Sequence, residues 1–370
     1  MKCVRQCRSP NAWSTPLPLR KPGAPRAPAG TAGGDTPANS PTSGAPRFGA
    51  HPSPMRLVPY HASLRAEWDA FAATATAGTF LFQRRYLEYH ADRFTDASLL
   101  VYDAKNRLVA LLPANRVGDE LHSHQGLTYG GFVTRGPYAF QLAACFNSLV
   151  AWCAAQGIQR VLYKPVPFIY ATYPEQTDLY CLFRLGATLA ARHLATTIEQ
   201  DHARGFAELR RRGAKKALRH GLRVDETTDF AEFWHVLEVN LREKYAATVV
   251  HSLAEITALR AQFPAGIRLH VASDAAGAVV AGVVVYVTTQ VAHVQYISAT
   301  TAGRAVGALD LLFTHLVQEV YAGVRYFDFG TSNERQGQYL NHNLLFQKEG
   351  FGGRGVCYDT YAFDVGSRIE

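Results

Sequence analysis

The chain has 370 residues, of which 48% are hydrophobic and 18% are charged. This composition is typical of about two globular domains and excludes a wholly disordered chain, and no stretch approaches the roughly 18 apolar residues that a membrane-spanning helix needs. The formal net charge is +8, but residues 1–54 carry net +6 of it and the rest of the chain only net +2. The charge therefore does not predict an extended surface for nucleic acid.

The first 54 residues hold 11 of the 18 prolines and few side chains that a core can bury. Because proline interrupts helices and central strands, we expect residues 1–54 to form a disordered Pro/Arg-rich tail. No apolar run follows Met1–Arg8, so the tail does not resemble a secretory signal. An organelle transit peptide is one alternative, because the segment is rich in arginine and poor in acidic residues. We favour another, in which the tail is not translated and the protein starts at Met55.

The cysteines and histidines form neither a disulfide nor a metal pattern. The six cysteines include no C-x-x-C pair, which argues against structural zinc and against a redox dithiol. His122 and His124 lie two residues apart in a strand pattern, but no third ligand is near them in sequence. We therefore predict no bound metal, and free thiols in a reducing cytoplasm.

Beyond the tail, one succession of elements occurs twice: two strands, a one-sided helix and a short strand. The first copy occupies residues 98–103, 108–112, 138–156 and 159–163. The second copy occupies residues 268–272, 279–286, 305–322 and 325–329. Both helices end at a glycine, Gly157 or Gly323, which suits a left-handed helix cap. We interpret the pattern as a duplicated α/β (α+β) fold, with one domain at residues 55–199 and the other at 200–370.

A strongly basic helix is predicted between the two halves. Residues 206–216 include five cations within seven positions. Two interpretations remain open, because such a face can contact a phosphate-bearing ligand or simply be solvated.

Three short motifs occur in the wrong context. Gly350–Gly355 satisfies G-x-G-x-x-G, but a strand pattern follows it where a dinucleotide-binding fold needs a helix. Asp328–Gly330 lacks the partner motifs of a protein kinase, and Gly330–Glu334 lacks the closing glycine of a nucleophile elbow. None of the three predicts a site by itself.

The order of elements in residues 200–365 resembles the acetyltransferase fold of the GNAT superfamily, and the duplication resembles its FemAB-like branch. The motifs that carry the resemblance are Tyr326–Asn333, Gly337–Asn341 and Phe346–Gly352 near the C-terminus, with Leu127–Phe132 and Tyr163–Tyr170 in the first half. The FemAB-like proteins that use aminoacyl-tRNA often carry a long helical hairpin, and no such insertion is visible here. The sequence is thus most similar to the shorter, acyltransferase-like members, which are often associated with cell-envelope or polysaccharide loci.

This resemblance implies a tandem GNAT-like acyltransferase. We expect it to transfer an acyl group, with acetyl the first candidate, from acetyl-CoA or another acyl-CoA to an amine of a cell-envelope or polysaccharide precursor. The superfamily's phosphate loop implies that Gly303, Arg304 and Gly307 bind the donor, although Leu309 stands where the loop usually has a small residue. A helix N-terminus attracts a pyrophosphate, but the same glycines can also merely begin a helix.

The reaction needs a group that takes a proton from the amine and a group that stabilises an oxyanion. The resemblance points to Lys348 for the charge, in a Phe/Lys/Phe-Gly context where Gln347 interposes one residue. Tyr296 is a candidate acid or positioning group, and Asp328 or Glu349 a candidate proton acceptor. Tyr296 can equally be a half-buried strand residue, and Glu349 and Lys348 can be solvated. The remaining candidates for substrate binding are Tyr129, Lys164, Tyr170, Lys244, Tyr245, His251, Asn333 and Asn341.

Two other functions remain open. An aminoacyl-tRNA donor is favoured by the incomplete phosphate loop, but opposed by the missing helical hairpin and by the near-neutral charge of residues 55–370. The third alternative is a non-catalytic protein of the same fold that binds a polysaccharide precursor or a partner protein, because fold does not determine function.

Overall fold

The structure is a computed structural model, and it describes residues 54–245, 249–366 and 369. The tail that we predicted at residues 1–54 lies outside the described residues, except for Pro54. The described chain forms ten α-helices and seventeen strands.

The helices are α1 Arg65–Ala73, α2 Arg84–Leu87, α3 Ala139–Ala155, α4 Thr177–Arg184, α5 Glu208–Arg219, α6 Ala231–Tyr245, α7 Leu253–Gln262, α8 Thr301–Val306, α9 Ala308–His315 and α10 His342–Glu349. The strands are β1 Arg56–Pro59, β2 Thr95–Asp96, β3 Leu99–Tyr102, β4 Leu108–Leu112, β5 Asn115–Val117, β6 Glu120–His122, β7 Val133–Thr134, β8 Arg160–Tyr163, β9 Thr188–Glu199, β10 Arg223–Thr227, β11 Ile267–Ser273, β12 Val279–Val287, β13 Val291–Ala299, β14 Tyr326–Thr331, β15 Asn333–Glu334, β16 Tyr339–Leu340 and β17 Arg354–Asp364.

Three sheets hold these strands together. The large sheet has eleven strands in the order β10-β11-β12-β13-β14-β9-β17-β8-β6-β5-β2. The other two are a four-stranded sheet, β1-β3-β4-β7, and the pair β15-β16. The predicted α/β (α+β) fold is confirmed, and every element of the predicted repeat is present, although the helix of the second copy is divided at Gly307. The two copies also differ in their sheets, because the first hairpin, β3–β4, belongs to the small sheet and the second, β11–β12, belongs to the large one.

Strands β9 and β17 carry the large sheet from one half of the chain into the other. The C-terminal strand β17 pairs with β9 over Arg354–Ala362 and with β8 over Tyr361–Asp364. Strand β9, in turn, pairs with β14 on its other edge. The sheet therefore brings residues of the first half next to the end of β14.

Strand β12 lies inside the large sheet and is covered on both faces, which is why it is almost continuously apolar. Helix α9 packs over one face, where Leu312 and Phe313 join Val283 in one buried cluster. Helix α6 packs over the other face, and a Cβ on Gly282 would lie only 2.3 Å from the ring of Phe233. Residues of the first half pack on this second face, in the same buried cluster as Phe233.

Strands β13 and β14 part after a short parallel contact. Their register consists of three pairs, and the last of them is His293 with Asp328. A register shift on the other edge of β13 leaves Gln295 unpaired between Val294 and Tyr296. We call the space between residues 294–299 of β13 and 329–331 of β14 the strand gap.

Candidate functional site

Asp328 lies fully buried at the head of the strand gap and accepts four hydrogen bonds. Its Oδ1 accepts from Thr197 Oγ1 at 3.1 Å and from the Gly330 N–H at 2.9 Å. Its Oδ2 accepts from the Tyr358 hydroxyl at 2.6 Å and from His293 Nδ1 at 2.8 Å. Burial acts to raise the pKa of Asp328, but His293, Tyr358 and the Gly330 N–H outweigh it, so the pKa lies below its ordinary value. We call these five residues the Asp328 cluster.

His293 is held by one ring nitrogen and open at the other. An ionised carboxylate can only accept hydrogen bonds, so Nδ1 of His293 donates to Asp328. In the neutral ring Nε2 then carries the lone pair. Nε2 has no hydrogen-bond partner among the described residues, and the side chain is 11% exposed. The cluster thus presents a proton-accepting nitrogen to the strand gap.

Lys348 lies on α10 with its ammonium group against the end of β14. Nζ donates to the carbonyl oxygens of Gly330 at 3.0 Å and of Thr331 at 2.7 Å. Burial lowers the pKa of Lys348 to about 8, and the charge of Asp328 opposes that shift. An ammonium group has three N–H donors, and these two bonds leave one of them for a ligand.

Gly330 joins the Asp328 cluster to Lys348. Its N–H donates to Asp328 and its carbonyl oxygen accepts from Lys348. Its φ of +69° is in the left-handed region, and a Cβ there would lie 3.4 Å from Cε1 and 3.9 Å from Nε2 of His293. The absence of a side chain at Gly330 therefore leaves the open edge of the imidazole uncovered.

Two tyrosines of the first half extend the cluster. The hydroxyl of Tyr170 lies 3.0 Å from that of Tyr358, and the rings of Tyr170 and Tyr129 are 4.2 Å apart between centroids. Burial raises the pKa of all three, so they are neutral near pH 7. Of the residues that the sequence singled out, Asp328, Lys348, Tyr129 and Tyr170 thus come together.

Tyr296 and His251, two further candidates, form a separate buried chain with Tyr89. The Tyr296 hydroxyl hydrogen-bonds Nδ1 of His251, and the Tyr89 hydroxyl lies 2.5 Å from Nε2. Burial lowers the pKa of His251 to about 4, so this imidazole is neutral near pH 7. Both ring nitrogens of His251 are hydrogen-bonded, so neither is free to accept a proton from a substrate. His293 differs, because its Nε2 has no partner among the described residues.

The three residues expected to bind the donor's phosphates are packed against their neighbours. A Cβ on Gly303 would lie 2.3 Å from the carbonyl oxygen of Val280, and one on Gly307 would lie 2.5 Å from that of Gly213. The guanidinium of Arg304 donates to the carbonyl of Ala299 and to the side chains of two further residues, Asn240 at 3.1 Å and Thr301 at 2.9 Å. The structure supplies a packing reason for each residue, and their role toward a donor stays a prediction.

The other candidates have local structural partners. Asn341 caps α10 by accepting from the Leu344 N–H at 3.1 Å, and Asn333 accepts from the Leu194 N–H at 2.5 Å. Lys164 Nζ donates to the carbonyls of residues 124, 125 and 127 at 3.0–3.3 Å. Glu349 is exposed on α10. Lys244 and Tyr245 end α6, and their side chains are outside the described part of the structure.

The predicted basic helix is α5, and its cations serve two purposes. Arg210 pairs with Asp310 at 2.7 Å and Lys216 Nζ donates to the carbonyl of Ala305 at 2.8 Å, so both hold α5 to the neighbouring helices. Arg211 and Lys215 instead line a surface groove of about 620 Å³ between α5, β10 and α9. No residue of the Asp328 cluster lines this groove.

Two searches of the described residues have negative results. No group of three or more His, Cys, Asp or Glu side chains there is arranged to hold a metal ion. Within the same residues, no helix combines the length and the apolar character that crossing a bilayer requires.

The sequence analysis assigned no site role to four residues of the Asp328 cluster: His293, Thr197, Tyr358 and Gly330. His293 stands in an apolar strand, where a single histidine is unremarkable. Thr197 lies in a strand that we did not predict. Only the parallel register places His293 beside Asp328, and only the pairing of β17 with β9 brings Tyr358 to the same carboxylate.

Comparisons with known proteins agree with this architecture. Residues 204–339 match the family model described as an acetyltransferase (GNAT) domain. None of the curated proteins matches the sequence. Among solved structures, FemX is similar in fold, with 10% identity, a TM-score of 0.57 and coverage of 82% of this chain and 96% of that one.

Two other solved structures are similar at the same level. A conserved protein of unknown function from Bacteroides thetaiotaomicron has 12% identity, a TM-score of 0.56 and coverage of 84% of this chain and 99% of its own. L-PGS from Bacillus licheniformis has 14% identity, a TM-score of 0.55 and coverage of 82% and 93%. Residues 204–339 are thus similar to a GNAT acetyltransferase domain, and the fold of the chain is similar to that of FemX.

Proposed function

We propose that the protein is an N-acyltransferase that moves an acyl group, acetyl in the first instance, from a thioester donor to an amine of a cell-envelope or polysaccharide precursor. The observation that carries this proposal is the parting of β13 and β14 directly beyond the His293–Asp328 pair. Parallel strands that stop pairing leave backbone N–H and C=O groups without partners, and a ligand can supply them.

The strand gap fits an extended donor that carries amide groups. The carbonyl oxygen of Val294 faces the gap, because a Cβ on Gly330 would lie 3.4 Å from it. An amide-bearing chain can pair with such a strand edge as an added strand does. The pantetheine arm of an acyl-CoA has two amides and ends in the thioester, so we favour acetyl-CoA or another acyl-CoA as the donor.

Lys348 is the group that we assign to the developing negative charge. Its remaining N–H lies beside Gly330, at the end of β14 that borders the gap. A hydrogen-bond donor that is already in place beside the reacting carbonyl stabilises the tetrahedral oxyanion without reorganisation. Asp328 lies behind Gly330 and keeps this end of the strand in place through the Gly330 N–H.

An aminoacyl-tRNA donor remains the second candidate. One observation favours it: the guanidinium of Arg304 is already bonded to three neighbours, so this end of α8 offers little to a pyrophosphate. Lys215, at the groove beside α5, is available to a phosphate backbone instead, whereas Arg211 there pairs with Glu208.

We further propose that residues 55–199 and 200–370 are the two GNAT-like domains, and that the donor and a small-molecule or polysaccharide-precursor amine meet the enzyme in the cytoplasm. The second domain holds Asp328, His293 and Lys348. The first contributes Tyr129 and Tyr170 beside them.

The donor is tested by thermal-shift and turnover assays of the purified protein with acetyl-CoA, longer acyl-CoAs and charged tRNA, each with a panel of amino sugars. A ligand that binds only the folded protein raises its stability by mass action. We expect concentration-dependent stabilisation and amine acylation with acyl-CoA. Stabilisation by charged tRNA alone would select the second candidate, and binding without turnover across the panel would favour a non-catalytic member of the fold.

A further inference from the structure

We infer that His293 is the general base of the transfer, acting through Nε2, and that Asp328 is its positioning residue. This inference rests on the proposed N-acyltransferase function. It replaces our expectation from the sequence that Asp328 or Glu349 takes the proton.

Asp328 is unsuited to accept the proton itself. Each of its oxygens already accepts two hydrogen bonds, and the residue is 0% exposed. Glu349 is exposed on α10, with no described hydrogen bond that would aim its carboxylate at the gap. The carboxylate of Asp328 can do what buried carboxylates do beside a catalytic imidazole, which is to fix the ring's tautomer and orientation.

His293 has the geometry of a base. Its Nδ1 is committed to Asp328 at 2.8 Å, whereas Nε2 has no partner in the described chain. His251 makes the contrast clear, since tyrosine hydroxyls occupy both of its ring nitrogens. The open edge of His293 lies against Gly330, where a Cβ would be 3.9 Å from Nε2, and the glycine itself places no side chain there.

His293 and Lys348 reach the same residue from two sides. The imidazole edge lies beside the Cα of Gly330, and the ammonium group bonds its carbonyl oxygen. A tetrahedral intermediate placed at Gly330 would therefore meet a proton acceptor for its nitrogen and a cation for its oxygen. Separate groups for these two tasks are what aminolysis of a thioester needs.

His293 alone can carry the proton through the reaction, first as acceptor and then as donor. The neutral amine attacks the thioester carbonyl, the C–N bond forms, and Nε2 takes one proton from the attacking nitrogen. When the intermediate collapses, the C–S bond breaks and the thiolate leaves with its electron pair. The thiolate then takes the proton from Nε2, so the products are an amide and a thiol and His293 is neutral again.

Charged and titratable groups near His293 come from four neighbouring elements. Asp328 comes from β14, Tyr358 from β17, Lys348 from α10, and Tyr286 from the position of β12 that pairs with His293. Tyr358 stays neutral over the accessible range, because burial raises its pKa well above the ordinary value. Tyr358 therefore does not compete with His293 as a proton acceptor.

The test is His293→Asn in the full chain, because an asparagine amide can still donate to Asp328 but has no proton-accepting nitrogen. We expect kcat/KM to fall by about 10²–10⁴-fold. The Kd for the donor should stay within threefold, and the acid limb should disappear from the pH profile. His202→Gln, a substitution of a histidine that is 79% exposed, is the matched control and should leave all three unchanged.

His293→Ala provides a second, independent measurement, because added imidazole should restore part of its activity. If His293→Asn keeps kcat/KM within threefold of the unsubstituted protein, or keeps the acid limb, the inference is wrong and the proposed function stands. If the unsubstituted protein binds no acyl donor and acylates no amine, the proposed function fails and the inference fails with it. Should His293→Asn not fold, absence of imidazole rescue in a folded His293→Ala overturns the inference.

Discussion

Lys348 Nζ lies 3.0 Å from the carbonyl oxygen of Gly330, so a buried cation of helix α10 is fixed against the last residues of β14. The second bond of Nζ, to Thr331, reaches a residue that is exposed. Lys348 is thus shielded from bulk water, but it bonds directly to a residue that is exposed at the surface. Such a position suits a group that must act on a substrate and yet keep its hydrogen bonds fixed.

Lys348→Met should lower kcat/KM by about 10²–10³-fold, because removal of one hydrogen-bond donor to a developing oxyanion costs roughly 3–4 kcal/mol of transition-state stabilisation. Methionine keeps an unbranched side chain and removes the charge. Steady-state kinetics would measure the effect, with the donor and acceptor that the thermal-shift and turnover assays identify. Lys105→Met, in an exposed turn, is the control and should be neutral. A loss of less than threefold in a folded Lys348→Met protein would place Lys348 outside the reaction.

Asp328→Asn should destabilise the fold and change its response to acid. The carboxylate accepts four hydrogen bonds, and an amide presents an N–H group to two of those donors. We expect the free energy of unfolding to fall by about 2–3 kcal/mol near neutral pH. Urea titrations measure this, with the exposed Asp92→Asn as the control.

The difference in unfolding free energy between Asp328→Asn and the unsubstituted protein should change with pH in a defined direction. The pKa of Asp328 is lower in the folded protein than in the unfolded chain, where it is about 3.9. Its contribution is therefore complete above about pH 4 and is lost as the pH falls through the folded pKa. The stability gap between Asp328→Asn and the unsubstituted protein should narrow below pH 4, and a constant gap down to pH 2 would show that Asp328 is not ionised.

The periodic spacing of apolar residues, together with the turn-forming residues, was sufficient to predict most of the helices and hairpins. The predicted helix at 138–156 is α3, and the predicted strands at 279–286 and 108–112 are β12 and β4. The predicted helix at 305–322 is divided instead, because Gly307 has a φ of +85° and separates α8 from α9. A glycine required for close packing on α5 looks the same in a sequence as one that begins a phosphate loop.

Strand β9 was not predicted, although it is twelve residues long and joins the two halves. Its sequence is rich in alanine and threonine and has no apolar alternation, because different stretches of it pack on different surroundings. Its pairing with β14 and β17 is long-range, and no local pattern encodes such a register. The Asp328 cluster depends on that register, so only its carboxylate was found from the sequence.

Buried neutral histidines should make the protein less stable in mild acid. Burial lowers the pKa of His251, His270 and His124 to about 4, below the unfolded value of about 6.5. Between these two values the unfolded chain binds more protons, so stability rises with pH from about 4 to 6.5 and is constant above. His251→Gln removes one titrating group, and it should flatten the slope of unfolding free energy against pH in that window. An unchanged slope would mean that His251 is charged in the fold.

The substitution Gly330→Ala distinguishes the cost of backbone strain, which lowers stability, from a role of Gly330 in the site, which lowers activity. Gly330 and Gly118 both have positive φ, +69° and +58°, so alanine should cost each about 1–2 kcal/mol of stability. They differ in surroundings, because a Cβ on Gly118 meets nothing within 4 Å, whereas one on Gly330 lies 3.4 Å from the His293 ring. We therefore expect similar losses of stability in urea titrations but a selective loss of kcat/KM, at least tenfold, in Gly330→Ala. Equal activity in the two variants would show that the strand gap beside His293 is not where the acyl group is transferred.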